Sequence, residues 1–319
     1  MPVSTRMAGG WAFTAALAAV GVFAFGAAPG AAAQTEEPVP AREPHPFPLA
    51  DYAGAESIAR GRVVYESRCI GCHGDEGRGD GPAARWLNPI PRDFQAANFK
   101  FRSTPSGEMP TLDDVLHVVT CGLAGSSMPA FPLLPEQSRR DVAEYVLHMA
   151  EYGILRSEID ERLADGETWQ EIQEDDWDLE VEELLFDGFE EAWSVSVPLE
   201  PEMDEDTIAE GKELYQAQCV ACHGASGRGD GPSSYTLRDW KDAEIVPRDL
   251  TTGVFRAGSA HEDIFLRMKS GVNGTPMPEI YGSGDELWSL VHYIISLQDD
   301  TTRVTPHPVS CAAHDLEAR

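Results

Sequence analysis

The sequence predicts an all-α fold: two tandem helical domains that arose by duplication, joined by an acidic, partly helical segment. Three observations support this prediction. A run of motifs at residues 69–82 recurs at 219–232, each copy has apolar residues at helical spacing, and the negative charge is concentrated between the copies. The length of 319 residues also suits about two domains.

The repeat is clearest at two Cys-x-x-Cys-His motifs, residues 69–73 and 219–223, offset by 150 positions. A glycine-rich loop follows each motif and ends at Pro82 or Pro232. Later matches keep the same order, namely the Pro-Arg-Asp triplets at 91–93 and 247–249 and the Met-Pro turns at 128–129 and 277–278. Two copies with small loop insertions indicate a duplicated domain and not a short repeat array.

The helices of each copy follow one outline. A helix precedes the motif, a short helix (112–119 or 261–268) leads to the Met-Pro turn, and a last helix (141–149 or 285–297) closes the copy. Gly61 and Gly211 each lie four residues before a tyrosine in the first helix. A missing side chain there would let the first and last helices cross closely, with Tyr65 near Tyr145 and Tyr215 near Tyr293.

The N-terminus has the features of a secretory signal: the early Arg6, an uncharged run over 11–28, and the small-residue exit Ala31-Ala32-Ala33. Cleavage after Ala33 predicts a periplasmic protein that is not inserted in the membrane, and an uncleaved anchor is the alternative. The predicted domain limits are a signal peptide (1–33), an N-terminal tail (34–51), domain 1 (52–152), an acidic linker (153–204), domain 2 (205–299) and a C-terminal tail (300–319).

The formal charge is −30, which disfavours binding to nucleic acid or to anionic membranes. From residue 158 to 206 there are 21 carboxylates and one basic residue, Arg162. The segment also contains Trp169, Trp177 and Trp193, and disordered segments are poor in aromatic residues. We therefore expect it to pack on the domains. Its role as a docking arm or as a spacer stays open.

A Cys-x-x-Cys-His sequence is the attachment site of c-type haem, with the thiols forming thioethers and the histidine lying under the iron. A redox dithiol and half of a zinc site are the alternatives. Two equivalent motifs in an exported chain favour haem, and no further Cys or His pairs lie nearby for zinc. The predicted cofactors are therefore two haems c, attached at Cys69, Cys72 and His73 and at Cys219, Cys222 and His223.

The sixth iron ligands are predicted to be Met128 and Met277, because both lie in aligned Met-Pro turns outside any apolar stripe. Each histidine also needs an acceptor for its second nitrogen, and the carbonyls of Pro82 and Pro232 are candidates, although these prolines equally suit a simple turn. Arg92 and Arg248 are candidate clamps for the haem propionates, with Arg102 and Arg256 as second candidates. Ion pairing of Arg92 and Arg248 with Asp93 or Asp249 is the alternative.

Two further sets of residues complete the expectations. Aromatic side chains are expected to wall the haem pockets, namely Trp86, Phe94, Phe99, Phe131, Trp240 and Phe255. Cys121 and Cys311 lie outside the repeated motifs and are a candidate disulfide in an oxidising compartment.

With these motifs in this order, the sequence resembles the class I c-type cytochromes, and more closely their duplicated two-haem members, over about residues 52–152 and 205–299. The resemblance implies helical domains with an exposed haem edge, and His/Met ligation by His73 with Met128 and His223 with Met277. It predicts a one-electron carrier, free or part of a respiratory or photosynthetic complex. The alternatives are a two-haem peroxidase with a displaceable sixth ligand and a ligand-binding sensor. The expected partners are redox proteins with a basic or apolar docking surface.

Overall fold

The computed structural model describes residues 56–174 and 194–298, which are helical and contain no strand. In chain order the helices are α1 (Glu56–Arg68), α2 (Ile70–His73), α3 (Leu112–Cys121), α4 (Glu136–Ala164), α5 (Trp169–Glu174), α6 (Glu205–Gln218), α7 (Val220–His223), α8 (His261–Ser270) and α9 (Gly284–Ser296). We call residues 56–174 lobe 1 and residues 205–298 lobe 2. The predicted all-α class is confirmed.

The helices begin where polar side chains satisfy their free N–H groups. Thr111 caps α3, where its hydroxyl accepts from the Asp114 amide at 3.1 Å and the Asp114 carboxylate accepts from the Thr111 amide at 2.9 Å. Ser283 forms the same reciprocal pair with Glu286 at the start of α9. These caps fix the helices that lead into and follow the Met-Pro turns.

The first and last helices of each lobe cross at a glycine, as the sequence predicted. A Cβ on Gly61 would clash with the Asp141 carbonyl oxygen and lie 2.8 Å from the Tyr145 Cβ. The rings of Tyr65 and Tyr145 lie 5.3 Å apart. In lobe 2, Gly211 meets α9 in the same way, and the rings of Tyr215 and Tyr293 are 5.2 Å apart.

Helix α4 is much longer than the predicted helix over 141–149, and it crosses the predicted domain limit at residue 152. Its continuation buries Tyr152, Leu155 and Ile159. Their spacing of three and four residues matches one helical face, and Ile172 of α5 is buried as well. The acidic segment therefore begins as a helical extension of lobe 1 that is anchored by apolar residues.

The far end of the acidic segment is bonded to both lobes. The Val195 amide donates to the Ser103 carbonyl oxygen of lobe 1 at 2.8 Å. The indole of Trp288 in lobe 2 donates to the Pro198 carbonyl oxygen at 3.1 Å. Residues 195–198 are therefore fixed between the lobes and are not a free hinge.

Direct contacts also join the lobes. The ammonium of Lys241 pairs with Asp93 at 3.2 Å, and the Gly107 amide donates to the Asn273 Oδ1 at 3.4 Å. The fully buried Arg102 donates from Nη2 to the Ser270 carbonyl oxygen at 3.0 Å. The two lobes thus share a bonded, partly buried interface.

Some predictions fall outside the described residues: the signal peptide, both tails and the segment 175–193. Cys121 is disulfide-bonded, whereas its predicted partner Cys311 lies outside the described residues. Within 56–174 and 194–298, none of the helices combines the length and apolar character needed to cross a membrane.

Candidate haem sites

Each Cys-x-x-Cys-His motif forms the same compact turn in both lobes. Cys69 ends α1 and the short helix α2 carries Cys72 and His73, followed by a loop in which the Gly79 amide donates to the His73 carbonyl oxygen at 2.8 Å. The Tyr65 hydroxyl donates to the Gly74 carbonyl oxygen at 2.7 Å, and Tyr215 does the same for Gly224. Buried tyrosines therefore fix the backbone at the start of both loops.

One cavity lies in each lobe beside its motif. The lobe 1 cavity has a volume of about 240 Å³, and its lining includes Cys69, Cys72, His73 and Met128. The lobe 2 cavity, of about 470 Å³, is lined by the equivalent set of Cys219, Cys222, His223 and Met277. The fold thus brings together each set of residues that the sequence grouped.

The second ring nitrogen of each motif histidine faces a carbonyl oxygen, but not the one that was predicted. His73 Nδ1 lies 3.1 Å from the Arg92 carbonyl oxygen, and His223 Nδ1 lies 3.1 Å from that of Arg248. A carbonyl only accepts, so each Nδ1 carries the hydrogen and Nε2 is free to bind a metal. Pro82 and Pro232 are exposed and line neither cavity, so their predicted role as acceptors is wrong.

Burial favours the neutral form of the histidine and of the first cysteine in each motif. It lowers the pKa of both His73 and His223, although the bond to the carbonyl oxygen acts to raise the pKa in each case. It also raises the pKa of Cys69 and of Cys219 to about 11, with a smaller contribution from the second cysteine of each motif. Redox-active dithiols need a lowered thiol pKa, so this environment argues against the dithiol alternative.

The two Met-Pro turns have the same backbone. The Leu123 amide donates to the Met128 carbonyl oxygen at 3.1 Å, and Val272 bonds to Met277 in the same way at 3.0 Å. A hydroxyl two residues earlier accepts from each methionine amide at 3.2 Å, from Ser126 or Thr275. A repeated, hydrogen-bonded turn is well suited to holding a side chain at a fixed place on the cavity wall.

Cationic side chains line the cavities with few carboxylates to pair them. Arg92 and Arg248 each line the cavity of their own lobe, while Lys100 and Arg256 line both cavities. The Nε of Arg256 is buried without a hydrogen-bond partner among the described residues. Buried guanidinium N–H groups need acceptors, and haem propionates are carboxylates that would supply them. The residues present therefore fit a haem in each cavity.

The arginine predictions are partly corrected by the structure. Asp93 pairs with Lys241, and Asp249 accepts from the Thr251 amide at 2.9 Å. Among the described residues, neither carboxylate forms the ion pair with Arg92 or Arg248 that the alternative interpretation requires. Arg102 lines neither cavity and is a buried residue of the lobe interface, so its prediction as a propionate clamp is wrong. Its equivalent in the repeat, Arg256, does line the cavities.

Sequence reasoning missed Arg267, a cation on the wall of the lobe 2 cavity. Its Nη2 donates to the Arg102 carbonyl oxygen at 2.6 Å, and its Nε and Nη1 have no hydrogen-bond partner among the described residues. Burial lowers the pKa of Arg267 to about 10. The equivalent residue of the first copy is Val118, so the repeat carried no signal for it.

The aromatic walls are largely as predicted. Phe94, Phe99 and Phe131 line the lobe 1 cavity, Phe255 lines the lobe 2 cavity, and Phe94 stacks on His73 with ring centres 4.5 Å apart. Trp86 is 76% exposed and lines neither cavity, so that prediction is wrong. Trp240 belongs to lobe 2 but lines the cavity of lobe 1, together with its neighbours Asp239 and Lys241.

Two helical lobes, each with a Cys-x-x-Cys-His turn and a Met-Pro turn around one cavity, define a c-type cytochrome with two haem sites. The comparisons agree with this class. Residues 208–298 match the family described as Cytochrome c, and residues 56–146 match the family described as Cytochrome C oxidase, cbb3-type, subunit III. None of the curated proteins compared matches the chain.

Among solved structures, the chain is similar to one from Kuenenia stuttgartiensis, in the reducing HAO-like protein complex Kustc0457/Kustc0458. The two are 35% identical, with a TM-score of 0.61, and the match covers 77% of this chain and 98% of that one. The chain belongs to the two-haem c-type cytochromes. Its cytochrome c domains indicate covalently bound haem c with iron and a role in electron transfer.

Proposed function

We propose that this protein is a periplasmic electron-transfer subunit that passes single electrons through two His/Met-ligated haems to a larger reductase complex. The observation that carries the proposal is the duplicated ligand set, because each cavity is lined by two cysteines, one histidine and one methionine of equivalent position. Each haem, when bound, supplies an iron that gains and loses one electron. An iron bound by both a histidine and a methionine would have no open site for a substrate.

The roles of the residues follow from their placement. Cys69 and Cys72 would hold one porphyrin through thioethers, and His73, through Nε2, and Met128 would be the ligands of its iron. Cys219, Cys222, His223 and Met277 would do the same in lobe 2. Arg92, Arg248 and Arg256 pair with the propionates.

Electrons exchange between the two sites across a short wall. Lys100, Phe101 and Arg256 line both cavities, so a single layer of side chains separates them. Trp240 of lobe 2, on the wall of the lobe 1 cavity, adds an aromatic ring at the same boundary. One partner can therefore deliver an electron at one lobe while another partner removes it at the other.

Partners dock at the apolar outer edges of the cavities. Ile90 lines the lobe 1 cavity and is 55% exposed, and Val246 lines the lobe 2 cavity and is 75% exposed. With four lysines and a charge of −30, the chain suits a basic or apolar partner surface. The related chain from Kuenenia stuttgartiensis is part of a reducing HAO-like protein complex, which supports a complex of that kind here.

The periplasmic location rests on the signal-like segment at residues 1–33, with its charged start, apolar run and small-residue exit. Haem attachment through thioethers in an exported chain agrees with it. N-terminal sequencing of the mature protein tests this directly, with Gln34 as the expected first residue.

The proposal is tested by rapid mixing of the holoprotein with a low-potential donor and an acceptor complex. We expect two electrons to be taken up per chain and both to be passed on. The peroxidase alternative needs a displaceable sixth ligand, whereas both cavities are lined by the methionine of a hydrogen-bonded turn. Turnover of peroxide by the half-reduced protein would overturn the carrier role.

A further inference from the structure

Lys100 lies at the boundary between the lobes. Its side chain lines both the cavity of lobe 1 and the cavity of lobe 2. It is partly buried, and the structure records no ion pair or hydrogen bond for it among the described residues. A charge on its Nζ therefore acts on both cavities at once.

The groups that face Lys100 are mostly cationic. Burial is the main cause that lowers the pKa of Lys100, to about 8, and the charges of Arg92 and Arg256 lower it further, while Asp239 opposes them. The other charged residues on the two cavity walls are Arg68, Asp93, Lys241, Arg248, Asp249 and Arg267. Asp93 is paired with Lys241, so its negative charge is only partly available to offset the positive charge of Lys100.

Lysine differs chemically from the arginines around it. A guanidinium stays charged at any physiological pH, whereas a buried ammonium can lose its proton. Lys100 is one of four lysines in the chain, and the equivalent residue in the second copy is Val254. The duplication therefore does not account for a titratable cation at this place.

We propose that Lys100 is a proton-binding site shared by the two haem cavities, so that electron uptake at either site is coupled to proton uptake at Nζ. This inference rests on the proposed electron-transfer function. It adds a second ligand, the proton, to the same site.

Uptake of one electron is balanced by uptake of one proton. An electron arriving from a reduced partner adds one negative charge near Lys100, and neutral Nζ takes one proton from water to become an ammonium. When the electron leaves to an oxidised partner, the proton returns from Nζ to water. The added electron raises the pKa of Lys100, so this pKa is higher in the reduced protein than in the oxidised protein. The reduction potential therefore begins to fall as the pH rises through the Lys100 pKa of the oxidised protein. It becomes constant again above the Lys100 pKa of the reduced protein.

The experiment is a spectroelectrochemical titration of the holoprotein from pH 6 to pH 10. For both haems of the wild type, we expect the reduced-to-oxidised ratio at fixed potential to fall about threefold or more across this pH range. Lys100→Gln should remove this dependence at both haems. Lys100→Arg should also remove this pH dependence, because a guanidinium stays charged. The reduction potential of this variant should stay near the higher value that the wild type has at low pH.

The exposed Lys212→Gln on α6 is the matched control and should behave as the wild type. A dependence that persists in both Lys100 variants, or a wild type whose potentials do not change over this range, would overturn the inference. In either case a chain that still takes up two electrons would leave the proposed function intact. Proton uptake on reduction, measured with a pH indicator in weak buffer, gives a second readout and should disappear in Lys100→Arg.

Discussion

The guanidinium of Arg102 in lobe 1 donates to the carbonyl oxygen of Ser270 in lobe 2 over 3.0 Å, in a fully buried setting. The equivalent residue of the second copy, Arg256, instead reaches the Gly125 carbonyl oxygen at 3.4 Å and lines both cavities. Both copies of this arginine therefore bond across the junction of the lobes, but only Arg256 also lines the cavities. The lobes are related by duplication but differ where they meet.

Replacing Arg102 should weaken the junction of the lobes. Arg102→Met removes the donors to the buried carbonyl oxygen of Ser270 and to the partly buried carbonyl oxygen of Pro105. We expect the free energy of unfolding to fall by about 2–4 kcal/mol, and the two lobes to unfold in separate steps. Urea denaturation followed by haem absorbance and tryptophan fluorescence measures both effects. Arg228→Met, at an exposed site, should change stability by less than about 0.5 kcal/mol; an equal loss in both variants would contradict this role.

Close crossing of α1 and α4 predicts that Gly61→Ala is destabilising. The added Cβ would meet the Asp141 carbonyl oxygen, which is backbone and cannot rotate away. We expect a loss of about 1–3 kcal/mol in thermal or chemical unfolding. The control is Gly71→Ala, since a Cβ at Gly71 meets nothing within 4 Å and the second copy has Ala221 there. Stability unchanged in Gly61→Ala would mean that the helices are farther apart.

The pair of Arg60 and Asp141 predicts a pH-dependent contribution to stability. Two hydrogen bonds from Arg60, at 2.8 and 3.0 Å, hold the pKa of Asp141 below its usual range. A lowered folded-state pKa stabilises the protein above the unfolded pKa, and this stabilisation is lost as pH falls through the folded pKa. Asp141→Asn should therefore cost about 1.5–3 kcal/mol at pH 7 and progressively less below about pH 4.

The exposed pair Arg62 and Glu66 supplies the control for that titration. Glu66→Gln should change the free energy of unfolding by less than about 1 kcal/mol at every pH. If Asp141→Asn were equally mild at pH 7, the partly buried pair of Arg60 and Asp141 would not contribute as described.

Lobe 2 allows a specific test of the sixth ligand, because Met268 also lines its cavity. Met277→Leu should remove the thioether-sulfur charge-transfer absorption of one oxidised haem and open its iron to carbon monoxide. Met268→Leu nearly conserves volume and should leave the spectrum unchanged, with a stability loss below about 1.5 kcal/mol. If Met268→Leu lost the charge-transfer absorption and Met277→Leu kept it, Met268 would be the ligand.

The disulfide at Cys121 predicts the thiol content of the mature holoprotein. With four cysteines held in thioethers, alkylation of the unfolded protein should label no thiol before reduction and two after it. Mass spectrometry of the labelled peptides should place the labels on Cys121 and Cys311. Two thiols reactive without reduction would exclude a disulfide between these residues.

Much of this architecture was predictable because duplication makes the chain its own comparison. The aligned motifs grouped Met128 with His73 and Met277 with His223, and each group lines one cavity. The paired glycines before Tyr65 and Tyr215 also predicted the helix crossings. These features are local or repeated, so the sequence contains them twice.

Contacts made by backbone groups, and contacts at the boundary between the lobes, were not predictable in this way. The histidine acceptor is a backbone carbonyl of Arg92 or Arg248, and a backbone group has no side-chain signature. Lys100 and Arg267 line cavity walls at positions where the other copy has a different residue, so no repeated pattern identifies them. Trp240 was expected to wall a haem pocket, but the sequence did not indicate that it lines the pocket of the other lobe. The helical continuation of α4 was hidden by the carboxylates that surround its buried face.

The central claim is that both cavities hold a His/Met-ligated haem c that carries one electron. The most direct measurement is a stepwise reductive titration of the purified holoprotein followed by absorption, with carbon monoxide added at the end. The account predicts two haems per chain, the sulfur charge-transfer absorption from both when oxidised, uptake of two electrons and no carbon monoxide binding. A haem that lacks this absorption or binds carbon monoxide in the unmodified protein would contradict it.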